Sequence, residues 1–327
     1  MSIYRMNVAT ALNEKYVPYT YVMLYSLFKN NIDAEIYVYL LNSELTPNSI
    51  DVFSSLAGTY NCHIIDIKIN PDDFPEKMPR NEQWTIEACF RLMMMEIMPI
   101  DIDRILYLDG DIIVNGSLQE LYLSDFSGNQ LIASLDMGMN TQPNELYYSL
   151  RPEIMHKYVN KDTYFCSGML LYNLDALRGK IGFDDYIKLA EDLEYNLLAP
   201  DQDLLNITHY GQIKYVDFMQ YNFFARVGSN IGYDYKYALN NPIIIHFTGF
   251  KPWEGDYFHY DIEKIWWDYA NCTPFANLLK DQFIRSSMDG HLVSDYTQDL
   301  LHQIEALKTT LNSSIDAFNR LKNIINA

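Results

Sequence analysis

Ile105-Leu106-Tyr107-Leu108-Asp109-Gly110-Asp111-Ile112-Ile113-Val114 reads as a hydrophobic strand that ends in two carboxylates one residue apart and resumes as a second apolar run. A strand that apolar is expected to be buried on both faces, as in parallel sheets covered by helices. Carboxylates at its carboxyl end lie where open α/β sheets place their ligand crevice. Two neighbouring negative charges there need a cation, and hard oxygen ligands with open coordination positions suit Mg²⁺ or Mn²⁺ shared with substrate phosphates. The plainer reading of the same tripeptide is an Asp-Gly-Asp turn between two hairpin strands.

Outward from this stretch, apolar runs alternate with helical segments. Residues 7–12 read as a first strand, 19–30 as a helix ending at Asn30-Asn31, and 35–41 as a second strand rich in β-branched and aromatic residues. Thr46-Pro47 opens a helix through Tyr60 with proline in its first turn, and residues 62–69 form a third strand. A loop with Pro71, Pro75 and Pro79 follows, then a helix-prone apolar segment, 86–98, stopped by Pro99. This rhythm predicts an α/β fold with a Rossmann-like, mainly parallel sheet flanked by helices. Further strands are expected at 131–135 and 168–172, an amphipathic helix at 183–195, and a polar loop at 140–162 long enough to act as a lid.

Beyond residue 281, Leu300, Ile304, Leu307, Leu311, Ile315, Phe318, Leu321 and Ile325 recur at steps of three and four, a helical stripe. The expected division is therefore a main domain over 1–280 and a helical segment over 281–327. That segment packs back on the domain, joins a second copy as a homo-oligomer, or lies on a membrane surface. Lys308, Arg320 and Lys322 are balanced by Glu305 and Asp316, so the polar face is not basic, which disfavours a membrane-surface helix.

With 327 residues, 49% of them hydrophobic, the chain can bury a full core. A net charge of −19 excludes a general nucleic-acid binder, which needs a basic surface. An anionic substrate would then need a metal or a local basic pocket. The four cysteines, Cys62, Cys89, Cys166 and Cys272, lack zinc-site spacing and are too few for a disulfide scaffold, which fits reduced thiols. No signal-peptide core and no apolar run near the ~18 residues of a membrane span is present. The expected location is cytoplasmic, peripheral at most at the inner face of the membrane. No glycine-rich dinucleotide or Walker sequence appears, so phosphate must be handled another way.

Five more motifs accompany Asp109-Gly110-Asp111. They are Ala11-Leu12-Asn13-Glu14-Lys15-Tyr16 after the first strand, Thr85-Ile86-Glu87-Ala88-Cys89-Phe90-Arg91-Leu92, Tyr164-Phe165-Cys166-Ser167-Gly168, Asp201-Gln202-Asp203, and His246-Phe247-Thr248-Gly249-Phe250-Lys251-Pro252-Trp253. In this order, from about residue 8 to residue 253, they resemble the family-eight retaining glycosyltransferases of the GT-A fold. That group contains bacterial lipopolysaccharide galactosyl- and glucosyltransferases and glycogenin.

The resemblance implies a hexosyltransferase that uses a UDP-sugar donor and Mn²⁺, with Mg²⁺ as the substitute, on a glycan, glycolipid or glycoprotein acceptor. It implies that Asp109, Asp111 and His246 hold the metal and that Ala11, Asn13, Tyr16, Arg91, Gly110, Ser167, Gly249 and Lys251 join Asp109 in binding the nucleotide sugar. It places Gln202 beneath the reacting sugar carbon, with Asp201 and Asp136 near the sugar hydroxyls. Cys166 departs from the family's usual Asn, and Lys15 from a frequent Asn. Each residue also has a plainer reading: Asn13-Glu14-Lys15 as a turn, Arg91 as a salt bridge within the sheet, His246 as a satisfied core histidine, and residues 201–203 as an acidic helix start. A haloacid dehalogenase-type phosphatase also ends an apolar strand in Asp-x-Asp, but near its amino terminus. A non-catalytic partner subunit is the remaining alternative, against which the intact Asp/Asp/His set stands.

Overall fold

The computed structural model describes residues 3–79, 85–141, 153–254 and 259–289, together with Lys308. Strand β1 (Tyr4–Ala11) passes through a short 3-10 turn into helix α1 (Val17–Asn30), and β2 (Ala34–Asn42) returns beside it. Helix α2 (Pro47–Thr59) starts on Thr46, whose hydroxyl accepts from the Ser49 N–H at 3.2 Å. After β3 (His63–Lys68), the strands β4 (Arg104–Leu108), β5 (Ile112–Val114), β6 (Leu131–Leu135), β7 (Phe165–Asn173) and β8 (Ile213–Val216) follow. Seven of these form one sheet in the order β3-β2-β1-β4-β7-β6-β8. Only β7 runs against its neighbours β4 and β6; the other pairings are parallel.

Successive side chains of a strand point to opposite faces, and both faces of this sheet are covered. Val8, Val38, Leu106 and Leu171 face Leu24 and Leu27 of α1 and Phe53 of α2. Ala9, Tyr39, Tyr107 and Leu170 face Phe90, Leu92, Leu204 and Leu205. This is why β4 is apolar at every position from Ile105 to Leu108, all of them buried.

The Asp-Gly-Asp turn does not close a hairpin. Strand β5 leaves the large sheet and enters a second one with β9 (Phe223–Phe224) and β10 (Ile244–His246), in the order β5-β10-β9. Here β10 is antiparallel to β5 and parallel to β9. The chain therefore changes sheets at Gly110, and both carboxylates sit on the seam.

Two expected helices are shorter or tighter than periodicity implied. The 86–98 segment is a 3-10 helix, Ile86–Met93, followed by one α turn, Met94–Ile97. Side chains compete for its carbonyls: Tyr172 Oη, from β7, donates to Arg91 O at 3.3 Å, and within the segment Arg91 Nε donates to Ala88 O at 2.8 Å. The 183–195 helix ends at Asp192, because Glu194 and Tyr195 take φ of 53° and 58°. The helix Ala276–Asp289 runs across position 280, with Leu279 buried among Trp266 and Trp267. The apolar stripe from Leu300 to Ile325 and the central part of the 140–162 loop lie outside the described residues. All four cysteines are free. No helix among the described residues is long and apolar enough to cross a membrane.

Candidate active site

Asp109 is placed by the end of β4, where its N–H donates to Gly168 O at 2.9 Å, and Asp111 opens the path into β5. His246 closes β10, level with Ile112 of β5. This antiparallel pairing carries a histidine from far along the chain to the seam. One ligand atom from each of Asp109, Asp111 and His246 lies within 4.8 Å of the others.

Three features fit this set to a hard divalent cation. Asp111 Oδ1 is buried and faces His246 Nε2 at 3.1 Å. The second histidine nitrogen, Nδ1, donates to Asn222 Oδ1 at 2.9 Å, which fixes the tautomer and turns Nε2 toward the carboxylates. Beneath them, Gly168 leaves the space open: a Cβ there would lie 2.7 Å from Asp109 Oδ2 and collide with the His246 ring.

Positive charge gathers around Asp111. Lys251 Nζ donates to Asp111 Oδ2 and, at 3.0 Å, to Phe247 O. Burial works against ionisation of Asp111, yet Lys251 and His246 hold its carboxyl well below the usual range. Burial likewise opposes the imidazolium, but the charge of Asp111 pushes His246 up to about 10. Lys251 is presented by a loop whose Trp253 stacks on Tyr19 of α1 at 4.1 Å and 11°, while Trp267 Nε1 donates to Pro252 O at 3.0 Å.

Arg91 is 4% exposed and tied to the same seam. Its guanidinium donates to Asp109 Oδ1 at 2.7 Å and to Ser167 O at 2.6 Å, lies 3.2 Å from Asp201 Oδ2, and covers the Tyr107 ring at 4.2 Å. The Tyr107 hydroxyl donates to Asp109 Oδ1 at 3.0 Å. Arg91 thus bridges the carboxylates of two motifs. Its ion pairs with Asp109 and Asp201 are a salt bridge that the sequence reading set beside a nucleotide-sugar contact.

Each residue of Asp201-Gln202-Asp203 has its own task. Asp203 fixes the start of the helix Pro200–Thr208, accepting from Leu198 N at 2.9 Å and Ala199 N at 3.1 Å. Asp201 faces Arg91, and burial still raises its carboxyl above the ordinary value. Gln202 Oε1 accepts from Ser167 N at 2.9 Å, and its Nε2 donates to Asp136 Oδ2 at 3.3 Å. Burial also raises Asp136, against the pull of the Met139 N–H and Gln202. On the opposite flank, Ala11 ends β1 and Asn13 Oδ1 accepts from Tyr16 N at 3.2 Å, capping the Glu14–Tyr16 turn. Burial raises the Tyr16 phenol, with Asp111, Glu254 and Asp109 adding to the effect. Gly110 packs over Thr20 and Tyr16.

Sequence reasoning passed over Tyr107 and Asn222. The first had a signal, since a period of two puts it on the same face as Asp109. Asn222 had none, because its role exists only through the pairing of β9 with β10.

A two-sheet α/β fold with a mainly parallel sheet flanked by helices and an Asp/Asp/His set on the seam has the architecture of the GT-A fold. A family model described as Glycosyl transferase family 8 matches residues 7–256. The chain belongs to this family. It is 24% identical over 83% of its length to a lipopolysaccharide 1,2-glucosyltransferase of Escherichia coli, covering 80% of that protein. It is also 24% identical to a lipopolysaccharide 1,3-galactosyltransferase of Salmonella typhimurium, over 76% of this chain and 73% of the other. Among solved structures, galactosyltransferase LgtC in complex with donor and acceptor sugar analogs superposes with a TM-score of 0.68 at 25% identity, over 82% of this chain and 96% of that one. An active-site mutant of LgtC with glutamine changed to glutamate superposes with a TM-score of 0.67 at the same identity and coverage.

Proposed function

We propose that the protein is a retaining hexosyltransferase that carries galactose or glucose from a UDP-sugar to a hydroxyl of a glycan, glycolipid or glycoprotein, with Mn²⁺, or Mg²⁺ in its place. The observation that carries this reading is the convergence of Asp109, Asp111 and His246 within 4.8 Å, over a strand whose Ser167 N–H holds Gln202. The relatives' names, glucosyl- and galactosyltransferases of lipopolysaccharide, support a hexose donor.

Asp109, Asp111 and His246 would hold the metal, which when bound supplies charge neutralisation for the leaving diphosphate. Lys251 adds an ammonium on the same side. Ala11, Asn13 and Tyr16 are assigned to the uridine, and Arg91, which ties Asp109 to Asp201, to the nucleotide sugar. Gln202 is assigned to the face of the anomeric carbon where positive charge develops; that LgtC has a glutamine in its active site supports a glutamine at such a site. An amide oxygen already accepting from Ser167 is a poor nucleophile. The acceptor hydroxyl is therefore assigned an attack from the face of the leaving group, whose phosphate oxygen takes the proton. Asp136 and Asp201 are assigned to the donor's hydroxyls. Residues 281–327 are assigned to oligomer contact or to acceptor or membrane association at the cytoplasmic face.

The test is UDP release from UDP-galactose and UDP-glucose with Mn²⁺, repeated with EDTA and with Asp111→Asn, whose folding is checked by circular dichroism. Slow hydrolysis of one donor, lost in both controls, is the expected result. Neither binding nor turnover of any UDP-hexose by the wild type would overturn the reading.

A further inference from the structure

Strands β9 and β10 run parallel with Phe224 level with His246, so the chains leaving them emerge at the same end of the small sheet. Arg226 follows β9, and Gly249 and Lys251 follow β10. Gly249, at φ +77°, has no side chain between its backbone and Arg226. A Cβ there would lie 3.1 Å from Arg226 Nε and 3.8 Å from Cζ. The half-buried guanidinium thus lies against the loop that presents Lys251 to Asp111.

Arg226 lacks what the other described arginines have. Arg5 donates to Asn7, Arg91 to Asp109, Arg104 to Tyr122 O, Arg178 to Ile102 O and Arg285 to Asp281. Arg226 Nε is buried without an acceptor, and none of the ion pairs among the described residues involves it. In a chain of net charge −19, a guanidinium without a carboxylate partner among the described residues, lying against the loop that carries Lys251, is an open anion site. Its planar fork matches a phosphate or carboxylate in two-point contact.

The order β5-β10-β9 decides which ligand reaches it. Helix α1 covers the β5 edge, where Ser26 Oγ accepts from Val114 N at 2.9 Å. Tyr16 and Tyr19, at the start of this helix, pack on Trp253. The uridine flank is therefore on the β5 side, and Arg226 stands on the opposite edge, with Lys251 in between. We propose that Arg226 recognises an anionic group, phosphate or carboxylate, carried by the acceptor sugar. This rests on the glycosyltransferase reading above and deepens it to an acceptor class.

The experiment uses the full chain with Mn²⁺ and saturating UDP, titrated with glucose 6-phosphate and galactose 6-phosphate beside the neutral sugars. The wild type is expected to bind the phosphates about 10- to 100-fold tighter, the range of one or two hydrogen bonds to a charged group. Arg226→Ala should erase that difference, Arg226→Lys should keep part of it, and the Kd of UDP should stay unchanged in both. Equal binding of charged and neutral sugars by the wild type would overturn the proposal. So would a preference that survives in Arg226→Ala, and a tenfold weaker UDP affinity in that variant would move the contact to the donor and overturn it too. If the wild type binds no UDP, the donor reading fails, and the sugar-phosphate titration without nucleotide still decides the role of Arg226.

Discussion

Asn222 never touches the carboxylates, yet it decides which nitrogen of His246 faces them. With Nδ1–H donated to Asn222 Oδ1 at 2.9 Å, Nε2 is the nitrogen turned to Asp111, and its lone pair would serve a metal once its proton is displaced. Asn222→Ala frees the ring to rotate or to take the other tautomer, and outer-shell losses of this kind cost about 10- to 100-fold in metal affinity. A Mn²⁺ titration of the variant should show that loss at an unchanged far-ultraviolet spectrum; an unchanged affinity would mean that packing alone orients the ring. Gly168 is the reverse case, a residue whose value is the volume it leaves empty. In Gly168→Ala the Cβ enters the space between Asp109 and His246, so the stabilisation that UDP gives in the presence of Mn²⁺ should vanish. A thermal melt with and without both ligands reads this directly, since a ligand that binds only the native state raises Tm.

Among the elements, much of the first half was legible. The βαβ rhythm of β1, α1, β2, α2 and β3 follows from runs of β-branched and aromatic residues separated by helices that each carry a proline in the first turn, signals that are local in sequence. The step between sheets at Gly110 was not legible, because three-residue β5 owes its place to β10, far along the chain. For the same reason Asp109, Asp111 and His246 could be singled out from motifs, and the structure brings them together, while Asn222 and Arg226 could not. Glu14 shows a different blind spot. The turn after β1 reads as solvent-facing, yet Glu14 accepts from Thr46 N at 3.1 Å and Ser49 Oγ at 2.5 Å, fastening the Asn13 loop to the start of α2. Those hydrogen bonds, against the cost of burying the group, hold its carboxyl below the ordinary value. Glu14→Ala should cost about 1 kcal/mol in chemical denaturation, the usual worth of a helix-start contact. It should also weaken UDP while leaving Mn²⁺ affinity unchanged, because the metal residues lie on other elements; an equal loss for both would tie Glu14 to the seam instead.

The molecule as a whole carries an acid sensitivity far from the cleft. His209 is fully buried where three elements meet: Tyr186 Oη donates to its Nε2 at 2.7 Å, and its Nδ1–H donates to Gln130 Oε1 at 2.8 Å. Both nitrogens are thus satisfied only in the neutral ring, and burial pushes its pKa down to about 3. An unfolded histidine takes its proton near pH 6.5. Between about 3 and 6.5 the unfolded chain therefore binds more protons at this site than the native one, so stability falls as pH is lowered through that window. The loss from this single group should reach about 2 kcal/mol between pH 7 and pH 5. His209→Gln removes the titrating group while keeping an amide that can meet Tyr186 and Gln130. The variant should be less stable than the wild type at pH 7, yet lose correspondingly less on going to pH 5. Urea denaturation at the two pH values measures the difference. Parallel losses in both proteins would place the acid sensitivity in the carboxylates of the seam.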